Sequence, residues 1–225
     1  GEGTYSDTDR VRYGIVESLG EINFEVKSEF SYKEILTPIS ETLFYFTEDE
    51  VKVADGPKKG AIVFVRSCDL HAVKRMDDIY LKNGFEDFYY KRIREKTKFI
   101  LMGCPQSFDS CFCVDMGTNK SDNYDAYIQV DGESALIDGE FEGLIARLEE
   151  VEEVTVKPDF VTENKTRVNI PENLSLDIMD STMWNEYNER CIACGRCNFV
   201  CPTCTCFTMQ DVFYEGSDRK QAGER

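Results

Sequence analysis

Apolar residues gather in two short β-branched and aromatic runs, Ala61 to Arg66 (Ala-Ile-Val-Phe-Val-Arg) and Lys98 to Met102 (Lys-Phe-Ile-Leu-Met). Each has the length and composition of a buried strand, and each ends beside a cysteine, Cys68 or Cys104. Between them Leu70, Val73, Met76 or Asp77, and Tyr80 recur every three to four positions, which predicts a helix. Asp69 is expected to cap it, leaving the free amides of the first turn facing the loop at Cys68. Strand, helix and strand in that order predict an α/β layer.

Further along, Ala126 to Val130 and Ser134 to Ile137 flank Asp131-Gly132 and predict a β-hairpin. Phe141, Leu144, Ile145, Leu148 and Val151 share one face of an amphipathic helix, whose simplest role is core packing. Residues 157–175 mix Pro158, Pro171, Asn and Thr without apolar periodicity and predict a linker or irregular cover. Asp180 to Arg190 then predicts a helix with Met183, Trp184 and Tyr187 on one side, delivering the chain to Cys191. Trp184 is expected to pack over the loop that follows rather than to relay electrons. The division predicted is an α/β (or α+β) domain over 1–156, a linker over 157–177, and a small, mainly helical ferredoxin-like segment over 178–225.

Composition narrows the function. The 225 residues, 41% hydrophobic, suffice for a sizeable core, and 43 Asp and Glu against 26 Lys and Arg give a net charge of -17. That excess argues against nucleic acid, and it suits a basic docking partner as well as plain solubility. No apolar run approaches the roughly 18 residues of a membrane span. Ten cysteines without an export signal predict a reducing cytoplasm. The start at Gly1 and the polar end suggest a piece of a longer protein. No Gly-x-Gly-x-x-Gly follows a strand and no P-loop occurs, so no flavin or NAD site is expected in this chain. His71, the only histidine, cannot build a histidine-rich centre, and the scattered acids nominate no catalytic pair. Asn119, Asn164 and Asn173 match the glycosylation pattern without meaning in a cytoplasmic protein.

The chemistry lies in the cysteines. Six of the ten fall between Cys191 and Cys206, and Cys191, Cys194, Cys197 and Cys201 follow the Cys-x2-Cys-x2-Cys-x3-Cys-Pro pattern of a 4Fe-4S loop. Gly195 supplies a residue able to turn with positive φ between two ligands, and Pro202 turns the chain away. Structural zinc usually takes two Cys-x2-Cys pairs set further apart, so iron-sulfur is the better reading. The remaining four, Cys68, Cys104, Cys111 and Cys113, converge if the two predicted strands are parallel neighbours. A second iron-sulfur cluster, zinc, or unliganded buried thiols are the readings open to that set.

Several segments together resemble one family, the A subunit of the anaerobic, siroheme-dependent sulfite reductase. They are Ser6-Asp7-Thr8-Asp9, Pro38 through Phe46, Arg66-Ser67-Cys68-Asp69, Phe112 through Lys120, and Cys191 through Cys206. The Arg-x-Cys-Asp and Cys-Phe-Cys elements also resemble the β subunit of cytoplasmic sulfhydrogenases. The resemblance implies a non-catalytic iron-sulfur subunit that relays electrons from a flavin- and NAD-binding subunit to a siroheme-containing subunit. It also implies a second cysteine run further on, exchanging its fourth ligand with the first. This chain stops before that run, so Cys191, Cys194 and Cys197 lack their usual fourth ligand. Cys204 and Cys206 are the substitutes at hand, and a labile or absent cluster is the remaining outcome. A sulfhydrogenase-like β subunit and a zinc-stabilised assembly module are the competing readings.

Overall fold

The computed structural model describes residues 11–131, 134–139, 155–213 and 221–224. The chain enters through irregular backbone with two short 3-10 turns, Leu19–Glu21 and Tyr32–Ile35. Ser31 caps the second, its hydroxyl oxygen accepting the Lys33 N–H at 3.1 Å. A hairpin follows, with β1 (Thr42–Phe46) antiparallel to β2 (Val51–Val53). Its threonine, valine and aromatic residues suit a pleated, half-buried surface.

The strand-helix-strand unit forms where the periodicity predicts it. It comprises β3 (Ala61–Val65), α1 (Ser67–Lys82), a second helix α2 (Phe88–Arg94) and β4 (Thr97–Leu101). β3 and β4 pair in parallel, with Val65 opposite Leu101. β4 pairs in parallel with β5 (Ala126–Asp131), which pairs antiparallel with β6 (Ser134–Asp138), giving the order β3-β4-β5-β6. Leu70, Val73, Met76 and Tyr80 of α1 bury against Val63, Val65, Phe99 and Leu101 of the sheet. Each such aliphatic side chain contributes about 1.5–3 kcal/mol by leaving water. α2 is fastened to α1 by Tyr90, whose hydroxyl donates to Asp77 at 2.7 Å and whose ring stacks on Tyr80.

Asp69 does not occupy the capping position expected of it. The cap residue is Arg66 and Asp69 lies three residues on, its carboxylate reaching back to accept the Arg66 N–H at 3.0 Å. The strand ends one residue earlier than the apolar run suggests, which shifts the helix start to Ser67. β5 and β6 confirm the expected hairpin, although Gly132 of its turn and the predicted helix at 141–151 lie outside the described residues.

Residues 155–175 carry no regular structure, yet Val156, Val161 and Asn164 are buried. A 3-10 turn, Leu176–Asp180, leads to α3 (Met183–Arg190), which is followed by α4 (Arg196–Val200), β7 (Gln210–Phe213) and β8 (Gln221–Glu224). Among its described residues, the segment expected to be mainly helical thus has two short helices and two strands. β8 pairs with both β7 and β1, producing a second sheet in the order β2-β1-β8-β7. Trp184 is not packed over the cysteine loop: it is 44% exposed, with its indole N–H donating to Ile178 O. None of the residues of α3 is buried.

Candidate functional site

The C-terminal cysteines sit on a tightly wound loop. Ala193 (φ 54) and Gly195 (φ 70) are both left-handed, one inside each of the two Cys-x2-Cys intervals. Glycine adopts that conformation freely, whereas for alanine it costs about 1–2 kcal/mol, strain of the kind stored at functional loops. The turn at Ala193 aims its N–H at the Cys191 sulfur, 3.4 Å away. Gly195 then caps α4, whose second residue is Cys197 and whose C-terminal cap is Cys201. Cys191, Cys194, Cys197 and Cys206 are exposed, and Cys201 and Cys204 are half-buried.

Against the upward push of burial, the Thr203 hydroxyl, 3.5 Å from the Cys201 sulfur, and then Cys204 hold the Cys201 thiol below its ordinary range, while the contact with Cys201 and burial hold the Cys204 thiol above its own. Soft sulfur donors at this spacing, with a backbone N–H already aimed at one of them, fit a 4Fe-4S cluster. The loop is docked on the N-terminal segment. Arg196 reaches Glu29 at 3.9 Å and lies over the Phe30 ring, and the Lys33 ammonium donates to Asn198 O and Cys204 O.

The upstream cysteines meet at one edge of the first sheet. Because β3 and β4 are parallel and in register, the chain leaves both at the same edge. One exit places Cys68 in the first turn of α1, and the other places Cys104 just after Gly103, which is left-handed with φ 69. The loop beyond returns Cys111 and Cys113 to that edge, where Cys113 lies near enough to act electrostatically on both Cys68 and Cys104. Burial pushes the Cys68 thiol well up, with Asp69 and the two neighbouring sulfurs adding to the effect. Burial also raises Cys104, although Arg66 opposes it. Thiols held neutral in this way must lose protons before they can ligate a metal. Among the described residues no three Cys, His, Asp or Glu side chains converge on the position of a single metal ion.

Two residues to which motif reading gave no role of their own organise this edge. The Arg66 guanidinium donates to Gly103 O and Phe24 O, both at 2.6 Å, lies 3.9 Å from the Cys104 sulfur, and stacks on Phe108. Asn164 accepts the Val114 N–H at 2.7 Å, donates to the Ser107 hydroxyl at 2.9 Å, and contacts the Cys113 sulfur at 3.7 Å. Arg66 was visible only as part of Arg-x-Cys-Asp, and Asn164 only as a glycosylation match. Lys33 had no sequence signal. His71 contacts Lys120 O and stands apart from the cysteines' own contacts.

A family model of the 4Fe-4S dicluster domain matches residues 190–225. Over 227 aligned residues the chain is 29% identical to the sulfhydrogenase 2 subunit beta of Pyrococcus furiosus, an alignment covering 90% of this chain. The chain spans 65% of that relative's length. No solved structure matches. Among the described residues no helix is long and apolar enough to cross a membrane. The 4Fe-4S cluster is the cofactor class of this chain, and along most of its length the chain is similar to a sulfhydrogenase beta subunit.

Proposed function

We propose that this chain is the β-type electron-transfer subunit of a cytoplasmic, sulfhydrogenase-like complex, itself non-catalytic. The observation that carries this reading is the beta-subunit similarity along 90% of the chain, reinforced by the dicluster match over the cysteine run. A bound 4Fe-4S cluster supplies single-electron transfer. The chain's own residues hold it and dock it to partners. Cys191, Cys194, Cys197 and Cys201 are the first-choice ligands, with Cys204 and Cys206 as substitutes for a fourth position. Cys68, Cys104, Cys111 and Cys113 are the ligand set of a second cluster. We further propose that residues 1–156 and 178–225 act as separate redox units joined by 157–177.

The partner upstream would be a flavin- and NAD-binding subunit, since this chain carries no dinucleotide motif. The partner downstream distinguishes two readings. A nickel-iron hydrogenase subunit follows from the sulfhydrogenase similarity. A siroheme subunit, as in anaerobic sulfite reductase, is supported by the joint order of the segments Ser6 to Asp9, Pro38 to Phe46, Arg66 to Asp69, Phe112 to Lys120 and Cys191 to Cys206. Anaerobic purification of the tagged chain from its source, with nickel and siroheme assayed in the co-purifying subunits, tests them. Nickel with hydrogenase activity is the expected result, and siroheme with sulfite reduction would transfer the chain to the second reading. Purified protein that contains zinc and no iron would remove both.

A further inference from the structure

Lys33 is the only buried lysine among the described residues, only 9% exposed. It stands in the 3-10 turn between Tyr32 and Leu36, both completely buried in the core, so its backbone cannot swing toward solvent. Its ammonium donates to Asn198 O and, at 3.1 Å, to Cys204 O, carbonyls of the cysteine loop more than 160 residues away in sequence. No described carboxylate forms an ion pair with it. The other cation at this loop, Arg196, is half-exposed and faces Glu29, so its charge is already answered.

Among the described residues the Lys33 ammonium meets only carbonyl dipoles, an arrangement that is costly to bury unless an anion comes to it. The group beside it is a run of cysteines that become anionic thiolates when they ligate iron. We infer that Lys33 is the fixed counter-charge of the C-terminal cluster, clamping its loop to the N-terminal body and raising its reduction potential. Reduction adds one negative charge to the cluster. A cation fixed close by, shielded from water, stabilises the reduced state more than the oxidised one. This rests on the assignment of Cys191 through Cys206 as a cluster site.

The test is a redox titration of the anaerobically reconstituted full chain, followed by electron paramagnetic resonance at fixed pH and ionic strength. The signal of the C-terminal run is assigned by its loss in C197S. K33M should make reduction of that cluster about tenfold less favourable, a downward shift of about 59 mV for one electron, and K33R should keep the wild-type potential. K33M that loses the cluster while K33R retains it at wild-type potential also supports the charge role. An unchanged potential in cluster-loaded K33M overturns the inference alone, as do equal shifts in K33M and K33R or loss of the cluster from both. A wild-type chain that takes up no cluster overturns the functional reading and this inference with it.

Discussion

Asn164 shows how a single buried amide can set the shape of a site. It is 4% exposed and uses both ends of its side chain, one oxygen and one nitrogen, to tie three points of the loop bearing Cys113. N164A strands the Val114 N–H and should destabilise the protein by about 1–3 kcal/mol, read by urea denaturation. It should also speed alkylation of Cys113 relative to Cys111, measured by mass spectrometry; equal rates would reduce Asn164 to a packing residue. Arg66 has the heavier load, because its planar fork bridges the Gly103 and Phe24 carbonyls at once. R66M should cost about 3 kcal/mol, and R66K should recover only part of that, since an ammonium cannot span both acceptors in the same geometry. Neither role was legible in advance: a sequence shows a donor or an acceptor, whereas its partner is found only by folding.

At the scale of elements, the parallel pair β3 and β4 decides where the upstream cysteines go. Its entry is tight at Gly60, where a Cβ would press on the Lys96 carbonyl that accepts the Ala61 N–H at 3.1 Å. G60A should lower stability by about 1–3 kcal/mol, visible as a fall in Tm, because backbone rather than a flexible side chain must yield. α1 offers a contrast. Its Asp78 and Lys82 form an exposed i,i+4 pair that lowers the Asp78 carboxyl and raises the Lys82 amine from their ordinary ranges. A depressed carboxylate contributes stability above its unfolded range and loses it as pH falls through the lowered value. The small difference between wild type and D78N should therefore vanish on acidification, and fade in high salt. The strands β3 and β4 and the helix α1 were legible because their apolar periods match their burial. The cap was misplaced because the end of a strand depends on pairing rather than pattern.

Across the whole molecule, strands more than 170 residues apart share a sheet. β1 lies between β2 and β8, so the N-terminal hairpin holds the strands that follow the cysteine loop. Phe44 pairs on both sides, opposite Val53 and Gly223. F44P removes a donor from this central strand and should release β7 and β8. Limited proteolysis should then cut around Met209 to Phe213 much faster, while the sheet of β3 to β6 keeps its hydrogen-exchange protection. Uniform loss of protection would mean that the two sheets unfold as one unit. The same scale holds the test of two cluster sites. Iron and acid-labile sulfide should fall by one cluster's worth in C113S and by a separate one in C197S, with both lost in the double variant.

The sequence by itself determined the chemistry and the local elements. The cysteine spacing, the left-handed turn at Gly195, the parallel unit around Cys68 and Cys104 and the hairpin of β5 and β6 all follow from short-range constraints, in which neighbouring residues carry the information. Tertiary structure alone decided what surrounds that chemistry. The β1 and β8 pairing, the reach of Asn164 across to Cys113, and the burial of Lys33 under the cysteine loop each join residues far apart in the chain. Such contacts leave no periodic trace, since a buried charge or amide is chosen by the partner that satisfies it and not by its neighbours in sequence.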